Sequence, residues 1–260
     1  MERITLFKEM LVQAEINNFY IGTGNPNADI LIIGKEISVD PKIDKGNMQC
    51  QTEMSNNIMH WKRDVGKNQK DIENYNGSNY SPLYPYKGQK LIINNNKNGG
   101  TSRTWYNYQK LYNLIYPENK IEGIINFHEG VFITELNDSP SPKTRDANKD
   151  SLAKRKLFIK ESQFFKSFKV VLIAGLGYFK IKVGENEIED IFYVKFTDEK
   201  KIKDFPKQKY WVHQGISLPK LLINTRQLSM YVTNELLEEI AEEIKKSLHG
   251  LEPYNDYRHY

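Results

Sequence analysis

The sequence predicts an α/β protein with three αβα layers, in which helices cover both faces of a central, mainly parallel sheet of four strands. Two observations predict this class. Continuous apolar runs, typical of strands buried on both faces of a parallel sheet, occur at residues 29–34, 131–134, 170–175 and 220–224. Segments with helical spacing of apolar residues lie before, between and after these runs. We expect residues 1–260 to form one domain, because a chain of this length can enclose a single core.

The chain begins with a predicted amphipathic helix that leads into the first strand. Its apolar residues at helical spacing are Ile4, Phe7, Met10, Leu11 and Ala14. Asn17, Asn18 and Gly22 break this pattern, and residues 25–27 are typical of a turn. The first strand then ends at Gly34, where the backbone can approach a ligand closely.

Residues 38–100 form a predicted insert outside the sheet. They are rich in Asn, Lys, Gly, Gln and Tyr with little periodicity, and residues 94–100 carry a strong loop signal. Its aromatic residues, which could pack or stack, are Trp61, Tyr75, Tyr80, Tyr84 and Tyr86. Loops of this length are often functional lids or mobile inserts, and an insertion without a role is the alternative.

The predicted second strand, residues 131–134, has a helix before it and a polar turn after it. Thr101 or Ser102 could cap that helix, and Pro117 follows its end. The residues predicted to share one face of the helix are Trp105, Tyr108, Tyr112 and Ile115. The strand continues into residues 135–140, a polar segment rich in turn residues.

Two further helices are predicted around the third and fourth strands. One covers residues 151–168 and precedes the third strand, which ends in a glycine turn at residues 175–177. Residues 181–218 predict hairpin-like structure at the edge of the sheet. After the fourth strand, Thr233 caps a helix that has its apolar residues on one side, and Gly250 ends it.

Composition and motifs argue against several classes of protein. The net charge of +4, from 37 basic and 33 acidic side chains, permits contact with nucleic acid without requiring it. Cys50 is the only cysteine, which excludes an internal disulfide and a cysteine-ligated cluster. The five histidines have no paired ligand spacing, so we expect no metal. No dinucleotide fingerprint or phosphate loop is found, and we expect no cofactor.

The sequence also lacks the features of a secreted or membrane protein. The N-terminus has no apolar run of the kind found in signal peptides, and no stretch of about 18 apolar residues is present to cross a bilayer. We therefore expect a cytoplasmic protein, and a monomer.

Each predicted strand delivers polar or glycine residues at its carboxyl end. In chain order they are Gly34, Lys35 and Glu36, then Thr134, Glu135 and Asn137, then the turn at 175–177, then Asn224, Thr225, Arg226, Gln227 and Ser229. The carboxyl ends of parallel strands meet at one edge of a sheet, where ligands of such folds bind. A carboxylate in a partly apolar crevice can orient or deprotonate a water molecule. The sequence therefore predicts a site at this edge.

Structural roles are the alternative for each of these residues. Polar residues commonly follow strands because the chain is leaving the core there. Arg226 could form a structural salt bridge with Glu36 or Glu135 as readily as it could contact a phosphate or a base. Asp138 and Ser139 could belong to a turn without further function.

At these strand ends the sequence resembles the uracil-DNA glycosylase superfamily. The matching segments are residues 21–34, similar to the lead-in to its first motif, 131–142, similar to its strand that ends in Thr-Asn, 170–177, similar to its apolar strand with a glycine turn, and 221–229, similar to its His-Pro-Ser motif. Ser229 lies on the serine of that motif. The resemblance covers residues 1–36 and 101–249 and implies the fold of that superfamily.

The resemblance implies hydrolysis of the N-glycosidic bond of a base flipped out of DNA, as in DNA repair. Glu36 takes the place of the water-activating acid, one methylene longer and with no Pro after it. Glu135 takes the place of the strand-end Asn, and Gln227 that of the catalytic His. Gln can donate a hydrogen bond to a departing base but cannot carry the positive charge of an imidazolium. The cysteines that bind an iron-sulfur cluster in some branches are absent.

The leading hypothesis is a divergent DNA glycosylase that acts on single-stranded DNA or on a flipped base. Glu36 would orient the water, and Asn224 or Gln227 would bind the base. Arg226 and Ser229 would face phosphate, and a Tyr or Trp of the insert would stack on the base. The remaining residues of the predicted catalytic and substrate-binding set are Glu135, Gly34, Lys35 and Asn137.

Two alternatives remain open from the sequence. One is a module on the same fold that binds a nucleic acid or nucleotide without chemistry, since both the Asn and the His are replaced. The other is hydrolysis of a different substrate by Glu36 and Glu135 as a carboxylate pair.

Overall fold

The computed structural model describes residues 2–36, 48, 51–92, 101–139, 141, 148–182, 184–218, 220–229 and 231–250. The predicted insert lies partly outside the described residues, at 38–47, 49–50 and 93–100, and so does the loop signal at 94–100. Cys50, Pro140 and His259 also lie outside them.

Helices and strands alternate over most of the described chain. The helices are α1 (Arg3–Asn17), α2 (Asn57–Asp64), α3 (Arg103–Ile115), α4 (Lys149–Glu161), α5 (Gln163–Lys166), α6 (Glu187–Phe192) and α7 (Asn234–His249). The strands are β1 (Thr23–Gly24), β2 (Ile30–Gly34), β3 (Val131–Glu135), β4 (Val170–Ile173), β5 (Ile181–Lys182), β6 (Glu185–Asn186), β7 (Val194–Ile202), β8 (Phe205–Gly215) and β9 (Leu221–Thr225). A π-helical turn covers Gln51–Ser55, and 3-10 turns cover Gln69–Asp71, Pro117–Asn119 and Phe127–Glu129.

The main sheet has the strand order β1-β3-β2-β4-β9-β8-β7 within the described ranges, and β5 and β6 form a separate pair. The four strands predicted from the apolar runs, β3, β2, β4 and β9, lie side by side and are parallel. Ile30 lies opposite both Val131 and Val170, and Val170 lies opposite Leu221. The predicted parallel core of the sheet is confirmed.

The expectation of a four-stranded sheet is wrong, because antiparallel strands extend both edges to a total of seven strands among the described residues. β1 pairs with β3, and β8 connects β9 to β7. β1 has only two residues and carries no periodic signal. Between its buried first and last residues, β7 is a run of exposed and half-buried, mostly charged side chains. The hairpin predicted within residues 181–218 is confirmed and consists of β7 and β8. The mostly exposed, charged side chains of β7 did not predict that the hairpin pairs with β9 through β8.

Side chains alternate between the two faces of the sheet, and helices cover both. Leu31 and Ile33 pack in one buried cluster with residues of α1, α4, α5 and α6. Ile30 and Ile32 pack in a second cluster with residues of α3 and α7. Every residue of β2 is buried, which is why this strand reads as a continuous apolar run.

The predicted capping residues are confirmed at two helices. The Ser102 hydroxyl accepts a hydrogen bond from the backbone N–H of Trp105 at 3.2 Å and starts α3. The Thr233 hydroxyl accepts one from Leu236 at 3.3 Å and starts α7. Each cap satisfies one of the N–H groups that lack a partner within the first turn of a helix.

The prediction of a single helix over residues 151–168 is wrong in one respect. The helical segment is interrupted at Ser162, which separates α4 from α5. Ser162 is extended, with ψ 119°. The apolar residues that this segment buries are Phe158, Ile159, Phe164, Phe165 and Phe168. In one continuous helix they would spread over roughly 220° of the circumference, at about 3.6 residues per turn. The break turns α5 so that all of them can reach the sheet.

Candidate functional site

A cavity of about 410 Å³ lies at the carboxyl ends of the parallel strands. Along the chain, β2, β3, β4 and β9 are the first to fourth parallel strands, so their order across the sheet is 2-1-3-4. The connections from β2 and β3 leave in opposite directions, and open α/β sheets bind ligands where such a reversal occurs. We refer to this hollow as the strand-end cavity. Glu36, Glu135 and Gln227, which come from three distant segments, all line it.

Three acidic residues line the strand-end cavity: Glu36, Glu53 and Glu135. Glu36 follows β2 and accepts a hydrogen bond from the Tyr178 hydroxyl. Glu53 lies in the π-helical turn and accepts one from the Tyr86 hydroxyl. Both carboxyl groups are buried, at 8% exposure for each residue. Their tyrosine partners hold them in position, because a phenol donates to a carboxylate.

The Glu135 carboxyl group is the most strongly perturbed acid of the cavity. Its Oε2 atom is inaccessible to solvent and has no hydrogen-bond partner among the described residues. Burial raises the pKa of Glu135 to about 8, and the charges of Glu36 and Glu53 add to this effect. Glu135 therefore carries a proton at neutral pH, and it can act as a hydrogen-bond or proton donor.

The position of the Glu135 side chain explains why the last residue of β2 is a glycine, Gly34. A Cβ atom at Gly34 would collide with the Glu135 carboxyl group, which folds across this position. Gly34 lies opposite Glu135 in the parallel register of β2 and β3. The glycine thus makes room for the buried acid at the end of the neighbouring strand.

Arg155 of α4 forms hydrogen bonds to the last two residues of β3. It is fully buried, and its Nη2 donates to the Thr134 hydroxyl at 2.9 Å and to the Glu135 carbonyl oxygen at 3.2 Å. Its guanidinium also lies over the Phe158 ring, 5.2 Å from the centroid. Burial lowers the pKa of Arg155 to about 10, which leaves it charged at neutral pH. It positions the backbone from which Glu135 projects.

Aromatic side chains form much of the cavity wall. Those that line it are Tyr20, Tyr80, Tyr86, Trp105 and Tyr108. The ring centroids of Tyr80 and Tyr86 are 5.6 Å apart, and those of Tyr86 and Trp105 are 5.5 Å apart. Burial raises the pKa of Tyr20, Tyr80 and Tyr86 well above the ordinary value, with a further contribution from Glu53. These hydroxyl groups therefore stay protonated at neutral pH, and the Tyr86 hydroxyl donates to Glu53.

Four of the residues predicted to bind substrate do not line the cavity: Asn137, Asn224, Arg226 and Ser229. The Asn137 amide is buried and joins a loop to α4, because it donates to the Asn148 carbonyl at 2.9 Å and accepts from the Ser151 hydroxyl at 2.7 Å. Asn224 is buried within β9, and its Oδ1 has no hydrogen-bond partner in the described part of the chain. The Ser229 carbonyl oxygen accepts from Asn107 at 3.0 Å. Gly34 and Lys35 do line the cavity.

Several cavity residues were not identified from the sequence. Glu53 and Tyr20 lie in segments without a periodic or motif signal, and Tyr108 was predicted only to share one face of a helix. Tyr80 and Tyr86 belong to the aromatic residues of the insert, for which stacking was predicted as one option. Trp61 of the same set is fully buried in the core instead. The insert thus supplies both a wall of the site and a part of the core.

A larger hollow of about 780 Å³ lies between α1 and α4, away from the strand ends. Its lining includes Leu6, Met10, Leu157 and Phe158. It does not bring together groups from several strand ends, so the strand-end cavity is the better candidate for chemistry.

No protein-family model matches this sequence, and no curated protein matches it either. Within the described ranges, no group of three or more His, Cys, Asp and Glu side chains is arranged to hold a metal ion. Each helix in the described part of the chain is too short or too polar to cross a bilayer.

Proposed function

We propose that the protein is a divergent member of the uracil-DNA glycosylase-like superfamily, which takes a flipped nucleobase into the strand-end cavity and hydrolyses its N-glycosidic bond. The observation that carries the proposal is the convergence of Glu36, Glu135 and Gln227 on one aromatic-walled cavity. These are the three positions that the resemblance to that superfamily matches with catalytic residues.

The shape and polarity of the cavity suit a nucleobase. A base has two flat faces that stack on aromatic rings and an edge that forms hydrogen bonds. Rings of Tyr80, Tyr86 and Trp105 line the cavity, and carboxyl groups and the Gln227 amide offer partners for an edge. A pocket of this kind, with a few polar groups among aromatic walls, is typical of small-ligand sites.

The two carboxyl groups at adjacent strand ends can divide the work of hydrolysis. Glu36 would accept a proton from a water molecule as the water oxygen bonds to the sugar C1′ atom. Glu135, protonated at neutral pH, would donate its proton to the base as the C1′–N bond breaks. Gln227 would hydrogen-bond the departing base. Exchange of the two protons with solvent would restore the starting state.

A basic surface beside the site could hold the nucleic-acid backbone. A third hollow, of about 730 Å³, includes four lysines and two acids in its lining: Lys149, Lys156, Lys160, Lys180, Glu187 and Asp190, together with Tyr178. The Tyr178 hydroxyl also donates a hydrogen bond to Glu36, so this surface adjoins the strand-end cavity. Lys156 forms an ion pair with Glu187 at 2.6 Å, which leaves Lys149 and Lys180 as the better candidates for phosphate contact.

The proposal is tested by incubating the protein with single-stranded and mismatched duplex oligonucleotides that carry different bases, and by measuring abasic-site formation. The variant Glu36→Gln keeps the size of the side chain but cannot accept the proton. We expect base release to fall by about 10²–10⁴-fold with little change in DNA affinity. Unchanged release in Glu36→Gln would exclude the role of Glu36.

The matched control is Glu129→Gln. Glu129 also accepts a hydrogen bond from a tyrosine hydroxyl, that of Tyr84 at 3.1 Å, but it does not line the cavity. Release by this variant should equal that of the wild type. If the wild type binds oligonucleotides without releasing any base, the alternative of a binding module without chemistry is favoured. The presence of Glu135 and Gln227 where the superfamily has Asn and His is consistent with that alternative.

A further inference from the structure

We propose that one face of the hairpin formed by β7 and β8 binds the single-stranded DNA that flanks the base in the strand-end cavity. The identity of this ligand rests on the proposed function. We refer to this face as the hairpin strip, and its residues are Phe196, Glu199, Lys201, Lys207, Lys209 and Trp211. The position, the charge and the exposed aromatic ring of the strip support the assignment.

Strand register places the side chains of the hairpin strip on one face. Residues directly opposite each other in an antiparallel pair point to the same side of the sheet. The pairs are Phe196 with His213, Glu199 with Trp211, and Lys201 with Lys209. Since alternate residues of a strand share a face, Lys207 lies on the same side as Lys209 and Trp211.

The hairpin strip reaches the edge of the sheet at which the strand-end cavity lies. Thr225, the last residue of β9, pairs with Tyr210, and its hydroxyl donates to the Lys209 carbonyl oxygen at 3.1 Å. Residues 205–209 of β8 therefore extend past the carboxyl end of β9, and Gln227, which follows β9, lines the cavity. β8 lies three strand spacings from β2, or about 14 Å. A DNA strand of a few nucleotides spans this distance.

Lysines dominate the charge of the hairpin strip. It has three of them, Lys201, Lys207 and Lys209, and one acid, Glu199. The Glu199 carboxylate lies 3.4 Å from the Lys201 Nζ and 3.3 Å from the Lys209 Nζ, so it holds two of the lysines in place. Lys207 is exposed. The strip keeps a net positive charge, which suits the phosphates of a nucleic-acid backbone.

Trp211 orders the charged side chains around it. Its Nε1–H donates to Glu199 at 2.8 Å, and the Lys209 Nζ lies 4.7 Å from the centroid of its ring. A cation over the face of an indole ring is attracted by the electrons of that ring. Because these contacts exist before a ligand binds, less side-chain entropy is lost when a phosphate reaches Lys209.

The opposite face of the hairpin differs in charge. The Tyr210 hydroxyl donates to Glu239 of α7 at 3.3 Å, and Lys200 forms an ion pair with Asp198 at 3.1 Å. The hydrogen bond to Asp198 raises the pKa of Lys200, and the charges of Glu243 and Glu239 add to this effect. Lysines that only prevent pairing of an edge strand need no preferred face. Their concentration on the face away from α7 indicates a binding surface for an anion.

Phe196 favours a single strand over a duplex as the ligand. Its side chain is an exposed aromatic ring, at 48% exposure of the residue. The ring of His213 meets it edge to face, with the centroids 5.7 Å apart, and limits its motion. Unpaired bases stack on such rings whatever their sequence, whereas the bases of a duplex are already stacked on each other.

The test measures binding of a fluorescein-labelled single-stranded oligothymidine of about 15 nucleotides by fluorescence anisotropy at increasing NaCl concentrations. The full chain is compared with the variant Lys201→Gln/Lys207→Gln/Lys209→Gln. We expect the slope of log K against log salt to shrink by about 2, at about 0.7 for each lost phosphate contact. Affinity near physiological salt should fall by about 10-fold or more. Arginine at the same three positions should restore both quantities.

The matched control is Lys8→Gln/Lys62→Gln/Lys120→Gln. It removes the same charge from exposed lysines that lie outside the hairpin strip and do not line the cavity. This variant should keep the wild-type slope and affinity. Phe196→Leu keeps an apolar side chain but removes the stacking ring, so it should lower the affinity by about 5-fold or more without changing the slope.

Equal salt slopes in the strip variant and the control variant would overturn the assignment of the hairpin strip. Absence of oligothymidine binding by the wild type would overturn it too, as would equally tight binding of polyglutamate or tighter binding of a duplex of the same length. Weaker binding by the strip variant, with no base release by the wild type, would support the strip and overturn the proposed function. Unchanged binding by the strip variant, with base release by the wild type, would do the reverse.

Discussion

Glu135 shows how the burial of one acidic residue makes the stability of the protein depend on pH. Its pKa is raised to about 8 by burial and by the neighbouring acids. The folded protein therefore binds a proton at pH values where the unfolded chain, with an ordinary glutamate pKa, has released it. Stability must then decrease as the pH rises from about 4.5 towards 8, by at most about 1.4 kcal/mol per pH unit from this residue.

The variant Glu135→Gln tests this coupling, because glutamine has nearly the same shape and does not titrate. We expect Glu135→Gln and the wild type to be similarly stable near pH 5 and the variant to be the more stable protein at pH 8. Urea unfolding between pH 5 and 8 measures the difference. A constant difference across this range would contradict the raised pKa.

At the scale of elements, α4 holds the end of β3 through one side chain. Arg155 donates to both the Thr134 hydroxyl and the Glu135 carbonyl oxygen, and its guanidinium packs on Phe158. The planar fork of arginine can serve two acceptors at once, whereas the ammonium of lysine is a single point. The helix thus controls the position of the Glu135 backbone.

We expect Arg155→Lys to lower the free energy of unfolding by about 2–4 kcal/mol, because the buried acceptors lose part of their donors. Denaturant titration measures the loss. The control is Lys154→Met on the exposed side of the same helix, which should change stability by no more than about 0.5 kcal/mol. Equal effects of the two substitutions would show that Arg155 has no special role.

At the scale of the whole molecule, the described part of the insert is built into the fold. The Asn57 side chain accepts from the Ile21 N–H at 3.0 Å and donates to the Gly22 carbonyl at 3.0 Å, and the Trp61 Nε1–H donates to the same carbonyl at 2.8 Å. Asn57 and Trp61 are completely buried. These bonds join α2 to the chain that leads into β1, so the aromatic wall is anchored to the sheet.

Asn57→Ala should release this anchor. The Ile21 N–H would lose its acceptor, which costs about 1–3 kcal/mol in a buried site. Hydrogen exchange of the amides in residues 51–92 should accelerate in the variant. Met59→Ala on the same helix is the control, because Met59 is 58% exposed. Equal exchange in Asn57→Ala and Met59→Ala would show that the insert is held by other contacts.

The sequence by itself determined the parallel core of the sheet and the meeting of three candidate site residues at one of its edges. Strands buried on both faces must be continuously apolar, so residues 30–34 and 131–135 could be recognised without knowledge of their partners. Once these strands are parallel, their carboxyl ends meet at one edge. The convergence of Glu36, Glu135 and Gln227 follows from that rule.

Only the tertiary structure decided the composition of the cavity and the size of the sheet. Glu53 and its partner Tyr86 are 33 residues apart, and Arg155 reaches β3 from a helix 20 residues further along the chain. Such contacts depend on where helices dock, and docking is set by the packing of side chains from many segments. The raised pKa of Glu135 has the same origin, because burial and neighbouring charge exist only once the chain has folded.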